Sequence, residues 1–192
     1  MFEVFKAYLS DKMNLSESEL ARIQSLSRLK TFRKCSEILK AGEVWQLKAF
    51  VCKGCARMYS MDEDGTEHSI RFSVENWWVG DRESYTTGEP SKTTIEALED
   101  TCLLVWDKAD FESLMQDIPE FGSLGSRLLA RGLNADQNRI CASVCYNSDE
   151  KYDYFLKTYP DMATRVPLHM IASYLGLPPA TLNRVRQRFS LK

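Results

Sequence analysis

Three arginines and two small polar side chains lie within a short span near the end of the chain, a density typical of nucleic-acid recognition. They are Thr181, Asn183, Arg184, Arg186 and Arg188. Thr181, Arg184 and Arg188 recur at i, i+3 and i+7, so on a helix they would share one face. Arginine presents paired donors that match a guanine edge or a phosphate. Exposed arginines also simply solvate helices, and the pattern alone leaves that alternative open.

The stretch that would position these side chains has the pattern of two short helices around a tight turn. Its buried stripes would be Ile171 and Leu175, then Leu182, Val185 and Phe189. Gly176 accepts the positive φ that ends a helix, and Pro178 and Pro179 suit the first turn of the next one. The pattern predicts a helix-turn-helix with Pro179 to Phe189 in the major groove and His169 near the DNA backbone. A plain helical hairpin in a core would share much of it.

Charge divides unevenly along the chain. Residues 151–192 hold seven basic and two acidic residues, a net charge of +5, whereas residues 1–150 hold eighteen and twenty-five, a net charge of −7. A basic terminal segment on an acidic body favours a phosphate-contacting module attached to a second, different domain. The pattern therefore predicts double-stranded DNA as the partner.

The cysteines raise the alternative of a metal or redox site. They are Cys35, Cys52, Cys55, Cys102, Cys141 and Cys145. Cys52 and Cys55 have the spacing of a metal knuckle, and four thiolates with the helical pair Cys141 and Cys145 would suit zinc or an iron–sulfur cluster. Cysteines one helical turn apart beside apolar neighbours are more often small core residues. We therefore predict no metal site and no resident cofactor.

Several classes of protein are disfavoured by what the sequence lacks. Metal-dependent enzymes of the barrel type need two or three histidines and a carboxylate, but this chain has only His68 and His169. No Ser/His/Asp set or phosphate-cradling glycine loop stands out, so we predict that the protein is not an enzyme. No apolar run approaches the roughly 18 residues of a membrane span, and no secretory signal precedes the first helix. A cytoplasmic location without disulfides is expected.

The elements that precede the terminal stretch change from helix to strand and back to helix. Residues 1–30 show two short striped helices, and Ser16 with Glu19 predicts a capping box at the second. Short strands and glycine-bearing turns between Thr31 and Asp107 predict an antiparallel barrel. A long helix follows at about residues 118–146. The expected fold class is α+β: an antiparallel β-roll or jelly roll with N-terminal helices, a long dimerisation helix and a C-terminal helix-turn-helix domain.

The long helix carries an apolar line that its own chain need not cover. Leu129, Leu133, Ile140 and Val144 form this line at helical spacing. Such a line can meet the same line of a second copy, so a homodimer is expected. The helix is broken near Asn147, which predicts a first domain over residues 1–146 and a helix-turn-helix domain over residues 147–192.

Order of elements and local motifs together resemble the Crp/Fnr family of bacterial transcription regulators over nearly the whole chain. The motifs are Gly80-Asp81, the turn from Glu96 to Thr101, Val166-Pro167 and the run from Ile171 to Gly176. The resemblance implies a cyclic-nucleotide-binding-type β-roll, a dimerising helix and a DNA-binding domain that reads a two-fold symmetric operator. RNA polymerase and a small-molecule effector are open as further partners.

The effector pocket implied by the resemblance departs from the nucleotide-binding pattern. Nucleotide-binding members carry Gly-Glu at the ribose and, eleven residues after that glycine, an arginine on the cyclic phosphate. Here the pocket residues would be Gly80, Asp81, Ser91, Lys92 and Thr93, with serine at the arginine position. A buried phosphate needs a charge-assisted partner, and strand alternation turns Lys92 to the face opposite Ser91. Cyclic AMP is disfavoured, and we expect either another ligand or a vestigial pocket.

The predicted recognition helix and the segment after it also depart from the family pattern. Its usual first base-reading positions correspond to Pro179 and Ala180, so direct readout is expected to fall on Thr181, Asn183 and Arg184, with Arg186 and Arg188 on phosphates. With the chain ending at Lys192, the two-stranded wing that follows the recognition helix in many members is expected to be absent or truncated. The alternatives left open are a redox or metal-cofactor sensor that uses the cysteines and a ligand-independent DNA-binding protein.

Overall fold

The computed structural model describes residues 1–190. By contacts within the chain these form two compact units, the first of residues 1–60 and 71–128, the second of residues 61–70 and 129 onward. The division falls inside the long helix, whereas the predicted boundary lies near Asn147. Leu191 and Lys192, where the predicted loss of a wing would be judged, lie outside the described residues.

The first unit contains short helices around two four-stranded antiparallel sheets. The helices are α1 Phe2–Ser10, α2 Glu17–Ser25, α3 Arg82–Thr87 and α4 Lys108–Asp117. The strands are β1 Arg28–Phe32, β2 Glu37–Leu39, β3 Leu47–Lys53, β4 Ala56–Met61, β5 Glu67–Ser73, β6 Trp78–Val79, β7 Thr94–Ala97 and β8 Thr101–Asp107. Strand order is β1-β8-β3-β6 in one sheet and β2-β7-β4-β5 in the other, with the hairpin between β4 and β5 counted in the second unit. The predicted α+β class and β-roll are confirmed.

Strand alternation gives β3 and β8 two different buried faces, because successive side chains point to opposite sides of a sheet. Ala49 and Val105 are fully buried in the cluster between the two sheets. Phe50 and Trp106 point the other way, into an aromatic cluster closed by Phe5 of α1. The first unit therefore has a core on both sides of the sheet that contains β3 and β8.

The second unit begins with most of the long helix α5, Pro119–Cys145, and continues with α6 Ser148–Thr158, α7 Met162–Arg165, α8 Leu168–Leu175 and α9 Pro179–Ser190. Asn147 starts α6 with a capping box, since its side chain accepts from the Glu150 amide while the Glu150 carboxylate accepts from the Asn147 amide. The predicted capping box of Ser16 and Glu19 at α2 has the same geometry. Helices α6, α8 and α9 pack into a small bundle of their own.

Candidate DNA-binding and effector sites

The turn between α8 and α9 follows the predicted helix-turn-helix pattern. Gly176 ends α8 with φ 63°, and the Leu177 amide donates to the Ala172 carbonyl at 3.0 Å. This positive φ suits glycine, which lacks the Cβ that would be strained there. Ala172 of α8 is fully buried, as its small apolar side chain predicts. Pro178 follows, and its carbonyl accepts from the Thr181 amide in the first turn of α9.

Helix α9 buries one face and exposes the other. Leu182 and Val185 are fully buried, and Ile171 of α8 is as well. Asn183 and Arg184 are exposed, and Thr181 is half-buried beside them. The predicted reading residues therefore share the solvent side of a helix that its buried side holds in place.

Arg184 keeps its guanidinium available at the centre of this surface. Its Nη2 lies 3.5 Å from the Thr181 hydroxyl, which is at the limit of a hydrogen bond. A guanidinium so lightly held can turn to a base edge at little cost in broken contacts. Arg184 and Thr181 thus form a pair that faces outward.

The remaining predicted residues of this site are placed differently. Arg188 donates to the carboxylate of Asp149, near the start of α6, in an ion pair. Arg186 is half-buried. His169 is exposed in the first turn of α8, whose start at Pro167 has no side-chain cap. The uncapped amides there suit a phosphate oxygen.

Hydrogen bonds that the sequence did not predict hold α8, the first helix of the helix-turn-helix. The Ser173 hydroxyl accepts from the Ser69 amide at 2.9 Å and donates to the Glu67 carbonyl at 3.0 Å. Arg139 of α5 donates to the Ser69 carbonyl at 3.1 Å and stacks over the Tyr174 ring at 4.6 Å. The hairpin of residues 61–70 therefore buttresses α8 inside the second unit. A serine within an apolar helix was the available signal, but its partner lies far away in sequence.

In the predicted effector pocket, the polar side chains are hydrogen-bonded to one another and to the backbone. Asp81 caps α3, with Oδ1 accepting from the Ser84 amide at 3.2 Å. Its Oδ2 accepts from the Ser91 hydroxyl at 2.6 Å and lies 3.4 Å from the Thr93 hydroxyl. Both carboxylate oxygens are thus already engaged by the protein. The hydroxyls of Ser91 and Thr93 both face this carboxylate.

Gly80 is packed too closely for any side chain. It has φ 146°, and a Cβ on it would stand 2.3 Å from the indole nitrogen of Trp45. Trp45 is itself buried. The predicted pocket glycine therefore accommodates an aromatic residue of this chain.

The recess beside Asp81 is acidic and has a volume of about 290 Å³. It is lined by Asp81, Glu83, Ser84, Glu89, Pro90 and Lys92. Lys92 is exposed and lies 3.6 Å from the Glu83 carboxylate, while Ser91 is buried. Residues 91–93 precede β7 in an irregular segment, so the strand alternation expected there is not what separates the two side chains. Three carboxylates against one ammonium group disfavour a bound phosphate. The roll's buried cation, Arg57, pairs across strands with Glu96 at 2.9 Å.

The cysteines do not form the four-thiolate site that the sequence raised. Cys52 and Cys55 are buried, and burial raises the pKa of the Cys52 thiol. Cys141 and Cys145 are exposed, which corrects the expectation that they fill a core. Over residues 1–190, no group of three or more His, Cys, Asp or Glu side chains is arranged to hold a metal ion. In that same range no helix is both long and apolar enough to cross a bilayer.

Comparison with known proteins agrees with this architecture. Residues 29–117 match the family model described as the cyclic nucleotide-binding domain. The fumarate and nitrate reduction regulatory protein of Vibrio cholerae is 25% identical over 187 residues, covering 91% of this chain and 74% of that protein. FixK2 from Bradyrhizobium japonicum superposes with a TM-score of 0.76 at 19% identity, covering 86% and 85% of the two chains.

A third similar structure is CLP of Xanthomonas campestris, described as a c-di-GMP responsive global regulator. It has a TM-score of 0.69 at 12% identity, and 92% of each chain is covered. At these identities the structural matches establish the fold. The family model identifies the roll as a cyclic nucleotide-binding-type domain. The curated relative is a regulatory protein that is similar over most of this chain. Residues 29–117 are therefore a cyclic nucleotide-binding-type domain, and the chain is similar over nearly its whole length to a regulatory protein and to solved structures of the same fold.

Proposed function

We propose that this protein reads a two-fold symmetric DNA operator through α9, with Thr181, Asn183 and Arg184 on base edges. The observation that carries the proposal is the division of α9 into a fully buried side and an exposed polar side. An exposed arginine with only a 3.5 Å contact is suited to a guanine edge, where bidentate pairing discriminates by about 1–3 kcal/mol. His169 and the start of α8 take the flanking phosphates.

We further propose that two copies pair along α5. Leu129, Leu133, Ile140 and Val144 are 51%, 53%, 65% and 79% exposed, and they lie along one side of the same helix. A stripe of large apolar side chains is costly to leave in water, and a parallel pair of helices buries it. Pairing would present α9 twice, which matches a symmetric operator.

The recess beside Asp81 is proposed not to bind a cyclic nucleotide. Its carboxylate is engaged by Ser84, Ser91 and Thr93, and the lining is net acidic. A ligand at this place would have to be neutral or cationic. We also propose that the protein acts in the cytoplasm, where its DNA partner lies, and catalyses no reaction.

The experiment that tests the reading face begins with mapping the chromosomal sites that the protein binds. Fluorescence anisotropy with the strongest site then compares the wild type with Arg184→Ala and with Arg33→Ala, which removes an exposed arginine of the first unit. Loss of affinity in the first variant alone supports the proposal. Equal loss in both variants would show a general charge effect and refute the assignment of Arg184.

A separate measurement tests the recess. Calorimetric titration with cyclic AMP and cyclic GMP should give no saturable heat. A saturable heat that vanishes in Asp81→Ala would overturn the proposal, because it would place a nucleotide beside that carboxylate.

A further inference from the structure

Two cysteines at the end of α5 lie together on the surface. Cys141 and Cys145 are one helical turn apart, both are exposed, and their sulfur atoms are 4.0 Å from each other. The two thiols are hydrogen-bonded to each other. The hydrogen bond with Cys141 and the charge of its thiolate form favour the protonated form of Cys145, which raises the pKa of the Cys145 thiol. By contrast, Cys52 and Cys55 are buried, where a thiol is inert packing. The surface pair is therefore the one that can reach an external ligand.

The distance between these sulfurs distinguishes two kinds of chemistry. A disulfide needs sulfurs about 2.05 Å apart, so the pair would have to close by roughly half its separation. A tetrahedral ion with metal–sulfur bonds of about 2.3 Å holds two thiolates about 3.8 Å apart. The observed 4.0 Å is close to the second value. The helix thus holds the sulfurs at the separation of two ligands of one ion.

We propose that Cys141 and Cys145 form a binding site for a thiophilic divalent cation of the Zn²⁺ class, one ion per chain. On binding, two S–H bonds break, two protons leave to solvent and two metal–sulfur bonds form, with no change in oxidation state. Soft thiolates select such ions over Mg²⁺ or Ca²⁺. Within residues 1–190 no third protein ligand joins the pair, so water completes the coordination.

The position of the site gives the ion a structural consequence. Cys145 is the last residue of α5, and α6 begins at Ser148. A bridge between i and i+4 closes the final turn of α5 into a ring and opposes its fraying. The inference is independent of the proposed DNA contacts, because it uses none of their residues.

The test uses the full chain, reduced and freed of metal. Zn²⁺ is titrated in competition with a chromogenic chelator, and Cd²⁺ is used to detect the ultraviolet band of thiolate coordination. Wild type should take up one Zn²⁺ per chain. Cys141→Ser and Cys145→Ser should each weaken binding by at least the roughly 10–100-fold that loss of a supporting ligand contact costs.

Cys35→Ser is the matched control, since Cys35 is an exposed cysteine of the first unit. It should bind Zn²⁺ as the wild type does. Circular dichroism checks that the serine variants are folded, which is expected because both thiols are on the surface. Unchanged Zn²⁺ affinity and Cd²⁺ band in the Cys141→Ser/Cys145→Ser double variant would overturn the site. One ion per two chains would overturn the single-chain chelate.

Discussion

The exposed side of α9 and the recess beside Asp81 are both built from small polar and charged side chains. They differ in how many of these groups are already hydrogen-bonded within the chain. Arg184 keeps a long 3.5 Å contact and faces solvent. Asp81 receives hydrogen bonds from an amide and a hydroxyl, with a second hydroxyl within reach. Binding surfaces gain affinity from groups that the free protein leaves unsatisfied, because no internal bond is broken on binding. The contrast supports the proposal that α9 contacts DNA, whereas the polar groups of the recess stabilise the fold of the first unit.

The largest expected effect comes from separating the two copies that we propose pair along α5. Replacing Leu133 and Ile140 with aspartate puts charge into the exposed stripe and should convert the dimer to a monomer. DNA affinity should then fall by about 100-fold or more, because the second half-site no longer adds to the first. Sedimentation equilibrium and anisotropy measure the two effects. Asn138→Asp, a charge on the same helix outside the stripe, should leave both unchanged; a double variant that remains dimeric contradicts the pairing.

The next effect concerns the reading face itself. Arg184→Ala should cost about 1–3 kcal/mol at the specific site, a loss of roughly 5–150-fold in affinity. The loss should be smaller on unrelated DNA, since a base contact contributes only at the matching sequence. Competition anisotropy with specific and unrelated duplexes measures this ratio. Equal losses on both duplexes would identify Arg184 as a phosphate contact.

Removing the hydrogen bonds of Asp81 in the recess should lower the stability of the protein and leave its DNA affinity unchanged. Asp81→Ala removes the cap of α3 and the acceptor of the Ser91 hydroxyl, so we expect a loss of about 1–2 kcal/mol in the free energy of unfolding. Denaturant unfolding measures the change. Glu83→Ala, on the exposed side of the same recess, should have little effect. A large loss of DNA affinity in folded Asp81→Ala would mean that the recess has a role in signalling.

The smallest expected effect concerns Arg188, at the edge of the exposed side of α9. Asp149→Asn releases Arg188 from an exposed ion pair that is worth about 0–1 kcal/mol. If the freed guanidinium reaches a phosphate, affinity should rise by up to about fivefold, and the salt dependence should steepen by about one counterion. Anisotropy over a range of salt concentrations tests this. The same substitution in Arg188→Ala should give no gain, and a gain there would assign the effect to the charge of α6.

Periodicity was enough to predict the elements that depend on local sequence. The buried stripe of α9, the glycine that ends α8 and the capping box at Ser16 each arise from residues within a few positions of one another. Such features follow from the helical and strand repeats, so one sequence reveals them.

Pairings between distant residues were not predictable in the same way. Arg188 was expected at a phosphate but pairs with Asp149, and Ser173 binds the backbone of a hairpin about a hundred residues earlier. Cys141 and Cys145 looked like core residues because their apolar neighbours Ile140 and Val144 were expected to be covered. These neighbours are 65% and 79% exposed. The spacing identifies a helical face, but it does not tell which molecule covers that face.

The hairpin of residues 61–70 has a practical consequence for dividing this protein into fragments. A fragment that starts at Asn147 would keep α6 to α9 but lose both the hairpin groups that hold Ser173 and the Arg139 side chain that stacks on Tyr174. The buried ends of these hydrogen bonds would then face water or remain unpaired. The hydrogen bonds that complete the terminal helices thus come from a segment about a hundred residues earlier in the chain, so a fragment that keeps the fold of α8 has to include that segment.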